Sequence, residues 1–170
     1  MNILLVGSGA REHALAHALN NSPQEKNIFC LASNMNPGIL ELCTEIKIDD
    51  INDPKLVSSY ALKIGAAIAI VGPENPLAMG VADALWAMGT KVVGPKKNLA
   101  QIETSKSFAR DLLTEYDIPA CPEYRTFSSM DGVLPFLQSL GENYVVKYDG
   151  LAGGKGVKVA GDHLRSHNEA

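Results

Sequence analysis

The apolar run at residues 2–6 ends in Gly7-Ser8-Gly9, and from there Ala10, Ala14, Leu15, Ala18 and Leu19 recur at helical spacing until Asn20-Asn21-Ser22-Pro23 stops them. A strand, a glycine turn and a helix in that order leave few architectures, because the helix carries the chain back to a second strand parallel to the first. The unit recurs. Strands are expected at residues 28–31, 45–48, 66–71 and 91–93. Asp53 caps a helix with Pro54 at its first position and Gly65 past its end. Pro76 opens another, with Leu77, Val81, Ala84 and Leu85 inward and Gly89 after it. This alternation predicts an α/β fold with a Rossmann-like, mostly parallel sheet.

The pattern changes after Gly94-Pro95. A helix carries Phe108, Leu112, Leu113 and Tyr116 on one face and ends before Ile118-Pro119; a strand at 123–127 and a helix at 130–140, closed by Gly141, follow. Residues 144–148 and 157–160 read as two strands of a hairpin in a second, smaller subdomain. Ser166 and Glu169 have the S-x-x-E spacing of a capping box. A helix start that the chain does not continue suggests a piece of a longer protein, with poorly packed last residues.

A chain of 170 residues, 46% hydrophobic and 20% charged, suffices for one full core and part of a second. Its net charge of -4 argues against a nucleic-acid partner and leaves small anions possible. The first residues lack a basic region of the secretory kind, and no apolar run approaches a membrane span. Cys30, Cys43 and Cys121 are odd in number and widely spaced, which suits reduced thiols in a cytoplasmic protein.

The first glycine turn invites a dinucleotide reading, but Glu12 stands at the third fingerprint position, where its carboxylate would crowd a pyrophosphate. Leu31-Ala32-Ser33-Asn34 also lacks the acid that an NAD ribose requires. The turn therefore fits either close helix–strand packing or a small ligand, for which Arg11 and Glu12 would offer charge. Glu74, between Pro73 and Pro76, lies at the carboxyl edge of the sheet, as a solvated carboxylate or as an acceptor for a hydroxyl or amine. Asn34 to Gly38 would face the same edge, or form a plain turn. His13 and His17 are four residues apart without the H-E-x-x-H order or a third ligand, and read as ordinary helix residues.

Lys147-Tyr-Asp-Gly-Leu-Ala-Gly-Gly-Lys-Gly-Val157 has glycines and lysines but is no P-loop: only three residues separate Gly150 from Gly154, and Gly156 follows Lys155 where a hydroxyl should be. Between two antiparallel strands, with Lys147 at its base and Lys155 at its tip, such a loop can close over phosphates as a lid.

Taken together these stretches resemble the ATP-grasp superfamily, and within it the glycinamide ribonucleotide synthetase family. The resemblance rests on Gly-Ser-Gly-x-Arg-Glu-His-Ala at 7–14, Asn-Pro-Gly at 36–38, Val-Gly-Pro-Glu-x-Pro-Leu at 71–77, Glu-x-Ser-Lys at 103–106 and Lys-x-Asp-Gly-Leu-Ala-x-Gly-Lys-Gly-Val at 147–157. It implies a Rossmann-like substrate domain at 1–95, then a linker helix and the first part of an α+β ATP-grasp domain at 96–170. The implied activity joins glycine to 5-phosphoribosylamine through glycyl phosphate at the expense of ATP, in a cytoplasmic monomer of purine biosynthesis. The implied ATP ligands are Lys106, Lys147, Asp149, Gly150, Gly153, Gly154, Lys155 and Gly156; the implied substrate residues are Gly7, Gly9, Arg11, Glu12, Asn36, Pro37, Gly38, Pro73 and Glu74. Members of the family are more than twice as long, so the magnesium ligands and much of the adenine pocket are expected beyond residue 170, and the chain alone is expected to be inactive. Ile102 and Tyr148 stand where Leu and Ala are usual in the family. Two alternatives are another ATP-grasp ligase or carboxylase with a different acceptor, and a non-catalytic nucleotide-binding module.

Overall fold

The sheet implied by the N-terminal sequence is present in the computed structural model, which describes residues 1–170. Its strands are β1 (Asn2–Val6), β2 (Asn27–Ala32), β3 (Glu45–Ile48), β4 (Ala66–Val71) and β5 (Lys91–Val93), all paired parallel in the order β3-β2-β1-β4-β5. The connections carry α1 (Ala10–Asn20), α2 (Pro37–Leu40), α3 (Pro54–Lys63), α4 (Glu74–Met79) and α5 (Val81–Ala87). A parallel strand covered on both faces needs apolar side chains in both directions, and Leu4, Leu5 and Val6 of β1 are all fully buried. Leu4 and Val6 join Leu31, Val57, Val81 and Leu85 in the main core. Each such side chain contributes about 1.5–3 kcal/mol by leaving water.

The strand order sets where a ligand can enter. The chain runs from β1 outward to β2 and β3, then crosses back to β4 and β5 on the other side. The carboxyl ends of β1 and β4, where Val6 is level with Val71, flank the crevice created by this reversal. The α3 cap is as the sequence predicts: Asp53 Oδ1 accepts from Lys55 N at 2.8 Å and Leu56 N at 3.3 Å, with Pro54 beginning the helix.

The chain divides into two compact units, Met1–Ala100 and Gln101–Ala170, and the division falls inside α6 (Lys97–Thr104). The second unit holds α7 (Lys106–Glu115), α8 (Val133–Ser139) and an antiparallel hairpin of β6 (Val145–Lys147) and β7 (Val157–Val159). Its core is small and centres on Leu137, Tyr144 and Leu164.

Several expectations are corrected. The helix expected from Pro76 starts at Glu74 and breaks at Gly80, whose φ of 92° lies in the left-handed region. Leu77, Val81 and Leu85 keep helical spacing across that break, so periodicity conceals it. Residues 123–127 form no strand: the second sheet has only β6 and β7, and an unpaired strand would leave its backbone groups without partners. Residues 34–38, read as a turn or ligand edge, hold the start of α2, and α6 has no counterpart in the periodicity. Tyr116, read on one helical face with Phe108, Leu112 and Leu113, is the C-cap of α7 and is exposed.

The capping box at Ser166 is also absent. Ser166 makes no capping bond, Glu169 accepts from Arg165 N at 2.5 Å, and residues His167–Glu169 form one 3-10 turn. The His167 ring stacks on Tyr144 at 4.8 Å between centroids, and Ala170 packs against the small core. The last residues are thus ordered by two contacts, while Arg165, Ser166, Asn168 and Glu169 stay exposed, as the expected poor packing has it.

Candidate functional site

In the first unit, the turns at the carboxyl ends of four strands enclose a cavity of about 350 Å³. Ser8, Gly9 and Glu12 line it from the turn after β1, and Ser33 from the end of β2. Ile51 and Asn52 come from the loop after β3, and Pro73, Asn75 and Pro76 from the turn after β4. The lining is mixed, with hydroxyls, amides and one carboxylate beside Ile51, Pro73 and Pro76, and it holds no cation. Ser8 Oγ and Ser33 Oγ lie 3.2 Å apart, and Asn52 Oδ1 is buried without a hydrogen-bond partner. Such hydroxyls and amides suit a polyhydroxylated ligand.

Glu12 forms the floor. Only 4% exposed, it accepts from Gly9 N through Oε2 at 2.6 Å. A Cβ at Gly72 would meet its Oε1 at 2.1 Å, and one at Gly7 would meet its Cγ at 2.8 Å. Two glycines on neighbouring strand ends thus make room for one carboxylate. The close packing of helix on strand is present, and Gly9 and Glu12 line the cavity beside it. Gly7 lies beneath, donating its N–H to Leu31 O at 2.9 Å.

Arg11 and Glu74 do not line the cavity. Arg11 reaches from α1 to Gly72 O at 2.8 Å and to Glu74 Oε1 at 3.0 Å. The pair is solvated, with side chains 61% and 37% exposed, so it is worth little to stability and either partner is free to exchange it for a ligand. Hydrogen bonding to its own backbone N–H, and then to Arg11, holds the Glu74 carboxyl below its ordinary value.

Asn36, Pro37 and Gly38 are engaged in structure. Asn36 Oδ1 accepts from Gly38 N at 3.0 Å and caps α2, Asn36 Nδ2 donates to Ser8 O at 3.0 Å, and Pro37 is the first helical residue. A Cβ on Gly38 would lie 2.3 Å from His13 Cε1. His13 is thus a packing residue, as the sequence suggests. Among the thiols, burial pushes Cys30 up to about 12 and Cys43 to about 11, which leaves both unreactive.

In the second unit, β6 and β7 pair from Val145 opposite Val159 to Lys147 opposite Val157, and Tyr148 N donates to Gly156 O at 2.8 Å. The loop between them turns at Gly150, Gly153 and Gly154, whose φ angles of 150°, 54° and 78° favour glycine. The exposed Lys147 and Lys155 take no part in the chain's two ion pairs, Arg11–Glu74 and Lys47–Asp49. Asp149 faces elsewhere: Oδ1 accepts from Lys106 N at 2.6 Å and Ser107 N at 3.2 Å, and Oδ2 accepts from Ser107 Oγ. Lys106 Nζ donates to Gly150 O at 2.8 Å. Bonds from the Ser107 hydroxyl, and from the N–H groups of Ser107 and Lys106, hold the Asp149 carboxyl below its ordinary value.

Sequence reasoning missed Ser8, Ser33, Asn52 and Asn75, which only the sheet brings together, and Ser105 and Ser107, which lie more than forty residues from Asp149. The rule that ligands bind outside strand carboxyl ends would have pointed to the loop holding Asn52.

The chain matches two protein-family models: phosphoribosylglycinamide synthetase, N domain, over residues 1–103, and phosphoribosylglycinamide synthetase, ATP-grasp (A) domain, over residues 104–170. It is 46% identical over 171 residues to the phosphoribosylamine–glycine ligase of Methanopyrus kandleri, covering 100% of this chain and 38% of that relative. The crystal structure of the Thermotoga maritima phosphoribosylamine–glycine ligase superposes with a TM-score of 0.73 at 23% identity, over 99% of this chain and 37% of that one. N5-carboxyaminoimidazole synthetase from Staphylococcus aureus complexed with ADP gives a TM-score of 0.72 at 16% identity, over 94% of this chain and 41% of that one, a likeness of fold. The chain thus spans less than two-fifths of the length of the curated relative it matches.

Proposed function

The chain belongs to the phosphoribosylglycinamide synthetase family, and from that premise we propose that it serves an ATP-dependent, ADP-forming ligase that joins glycine to 5-phosphoribosylamine. The glycine carboxylate is a poor electrophile. Transfer of the γ-phosphoryl group of ATP onto it gives glycyl phosphate and ADP; the amine of phosphoribosylamine then attacks the acyl carbon, expelling phosphate and forming glycinamide ribonucleotide. The protein's part is to hold the reactants in line and to balance charge.

The observation that carries this reading is the glycine hairpin of residues 150–156, with exposed, unpaired Lys147 and Lys155 at its base and tip. Backbone N–H groups and two free ammonium groups suit the phosphates of ATP. Lys106, Gly150, Gly153, Gly154 and Gly156 complete the nucleotide set. No group of three or more His, Cys, Asp or Glu side chains is arranged to hold a metal. Because the chain spans 38% of the length of the relative it matches, the magnesium that would screen the phosphates is assigned to residues outside these 170, as is much of the adenine pocket.

Phosphoribosylamine is assigned to the first unit, with the ribose over Ser8, Gly9, Glu12 and Asn52 in the cavity and with Arg11 and Glu74 at its side. Gly7, Asn36, Pro37, Gly38 and Pro73 shape that site through the backbone. Residues 1–95 act as the substrate domain and 96–170 open the ATP-grasp domain. No helix is long and apolar enough to cross a membrane; a cytoplasmic location and a monomeric assembly are part of the same proposal. The test is ADP release by the whole ligase. It should require glycine and phosphoribosylamine together, and release of equal speed with bicarbonate, or with another amine, would refute the assignment.

A further inference from the structure

A carboxylate beside a phosphate-binding loop poses a problem, because two anions repel unless one is neutralised. Asp149 is such a carboxylate, next to Gly150. Its charge is met by the first turn of α7. Oδ1 takes the N–H groups of Lys106 at 2.6 Å and Ser107 at 3.2 Å, Oδ2 takes the Ser107 hydroxyl, and the Ser105 hydroxyl stands 3.3 Å from Oδ2. The partial positive charge of a helix N-terminus favours an anion there. A second, separate bond follows immediately, from Lys106 Nζ to Gly150 O at 2.8 Å. The two contacts tie the base of the loop to one helical turn distant in sequence, and that turn carries Lys106.

We propose that Asp149 is a positioning residue: it seats the base of the glycine loop on α7, so that Lys106 and residues 150–156 keep a fixed register, and it does not itself touch the nucleotide. The seat is a property of the free chain. Its purpose rests on the nucleotide reading given above. The carboxylate belongs to the helix, and the loop beyond Gly150 is left to its N–H groups and to lysines.

The seat is tested first without nucleotide, by hydrogen exchange on this chain. Asp149→Asn should speed exchange about 10-fold at the N–H groups of Lys106 and Ser107, which bond the carboxylate, and at Lys155, whose N–H bonds Ala152 O within the loop, while unfolding of residues 1–100 stays where it was. Ser107→Ala should act in the same direction and more weakly. The two changes should be non-additive, because they remove ends of one interaction. In the whole ligase with Mg-ATP, both variants should raise KM for ATP and show the same non-additivity. Ser107 tests the mechanism because its hydroxyl bonds only Asp149 and the Ser105 hydroxyl that caps the same turn. Unchanged exchange in Asp149→Asn would overturn the proposal, and so would additive effects on KM, which would mean that Asp149 meets the nucleotide directly. Faster exchange in both variants, in a ligase that shows no response to ATP, would uphold the seat and sink the nucleotide reading instead.

Discussion

Gly38 and Gly72 are small for opposite reasons from Gly153 and Gly154. The first pair has no unusual φ, yet a Cβ on either would stand 2.3 Å from the His13 ring or 2.1 Å from the Glu12 carboxylate. The second pair has positive φ and open space around it. A sequence shows four glycines and cannot say which kind each is, because the neighbour that needs the room comes from another element. Gly38→Ala should therefore destabilise the first unit by about 1–3 kcal/mol, the usual cost of overpacking. The same change paired with His13→Ala should cost less than the sum of the two. Urea unfolding of the four proteins measures this. Simple additivity would mean that His13 and Gly38 do not meet. The residue scale also separates Glu12 from Glu74. Both are acids in the first turn of a helix that follows a glycine- or proline-rich strand end, but one is buried and the other is solvated beside Arg11.

Elements were legible where the physics is local. All five strands of the parallel sheet show in the sequence: β1, β2 and β4 are the apolar runs that central strands require, and the edge strands β3 and β5 show as short runs rich in Ile and Val; the α3 cap shows because Asp53-Pro54 satisfies the first turn by itself. The glycine hairpin shows for the same reason, since its charges and turns lie within one stretch. Breaks and partners did not show. Nothing in Tyr124 or Phe127 reveals that no strand is available to pair with them, and nothing in Asn52 or Asn75 reveals that the sheet gathers both at one cavity. The break between α4 and α5 is the clearest case. Gly80 holds φ at 92° and donates its N–H to Leu77 O at 3.1 Å, ending one helix as the next begins. An L-residue in that region costs roughly 1–2 kcal/mol, so Gly80→Ala should lower stability by about that amount. Gly89→Ala, also at positive φ, supplies a control outside the break. A Gly80→Ala protein as stable as the parent would mean that the two helices readily fuse into the single one that the periodicity suggests.

At the scale of the whole molecule, two compact units carry two chemically different candidate sites. The first offers hydroxyls, amides and the Glu12 carboxylate around a cavity, and the second offers glycine N–H groups and free ammonium groups on a hairpin. If each serves one substrate of the proposed ligase, damage should be separable. Glu74→Gln removes a charged acceptor from the sugar side, while Arg11 keeps its bond to Gly72 O. It should raise KM for phosphoribosylamine several-fold and leave KM for ATP nearly unchanged. Lys147→Ala should do the reverse. Its loss should be on the order of 10-fold to 100-fold in activity, consistent with one charge-assisted contact of roughly 1.5–3 kcal/mol. Lys155→Ala should be milder. Lys147 belongs to β6 and offers its charge from a paired strand, whereas Lys155 stands at the turn closed by its own N–H to Ala152 O at 2.9 Å. Steady-state kinetics of the whole ligase, with each substrate varied in turn, decides the matter. If both variants raise both KM values alike, the units do not divide the substrates, and the hairpin lysines and Glu74 act on folding.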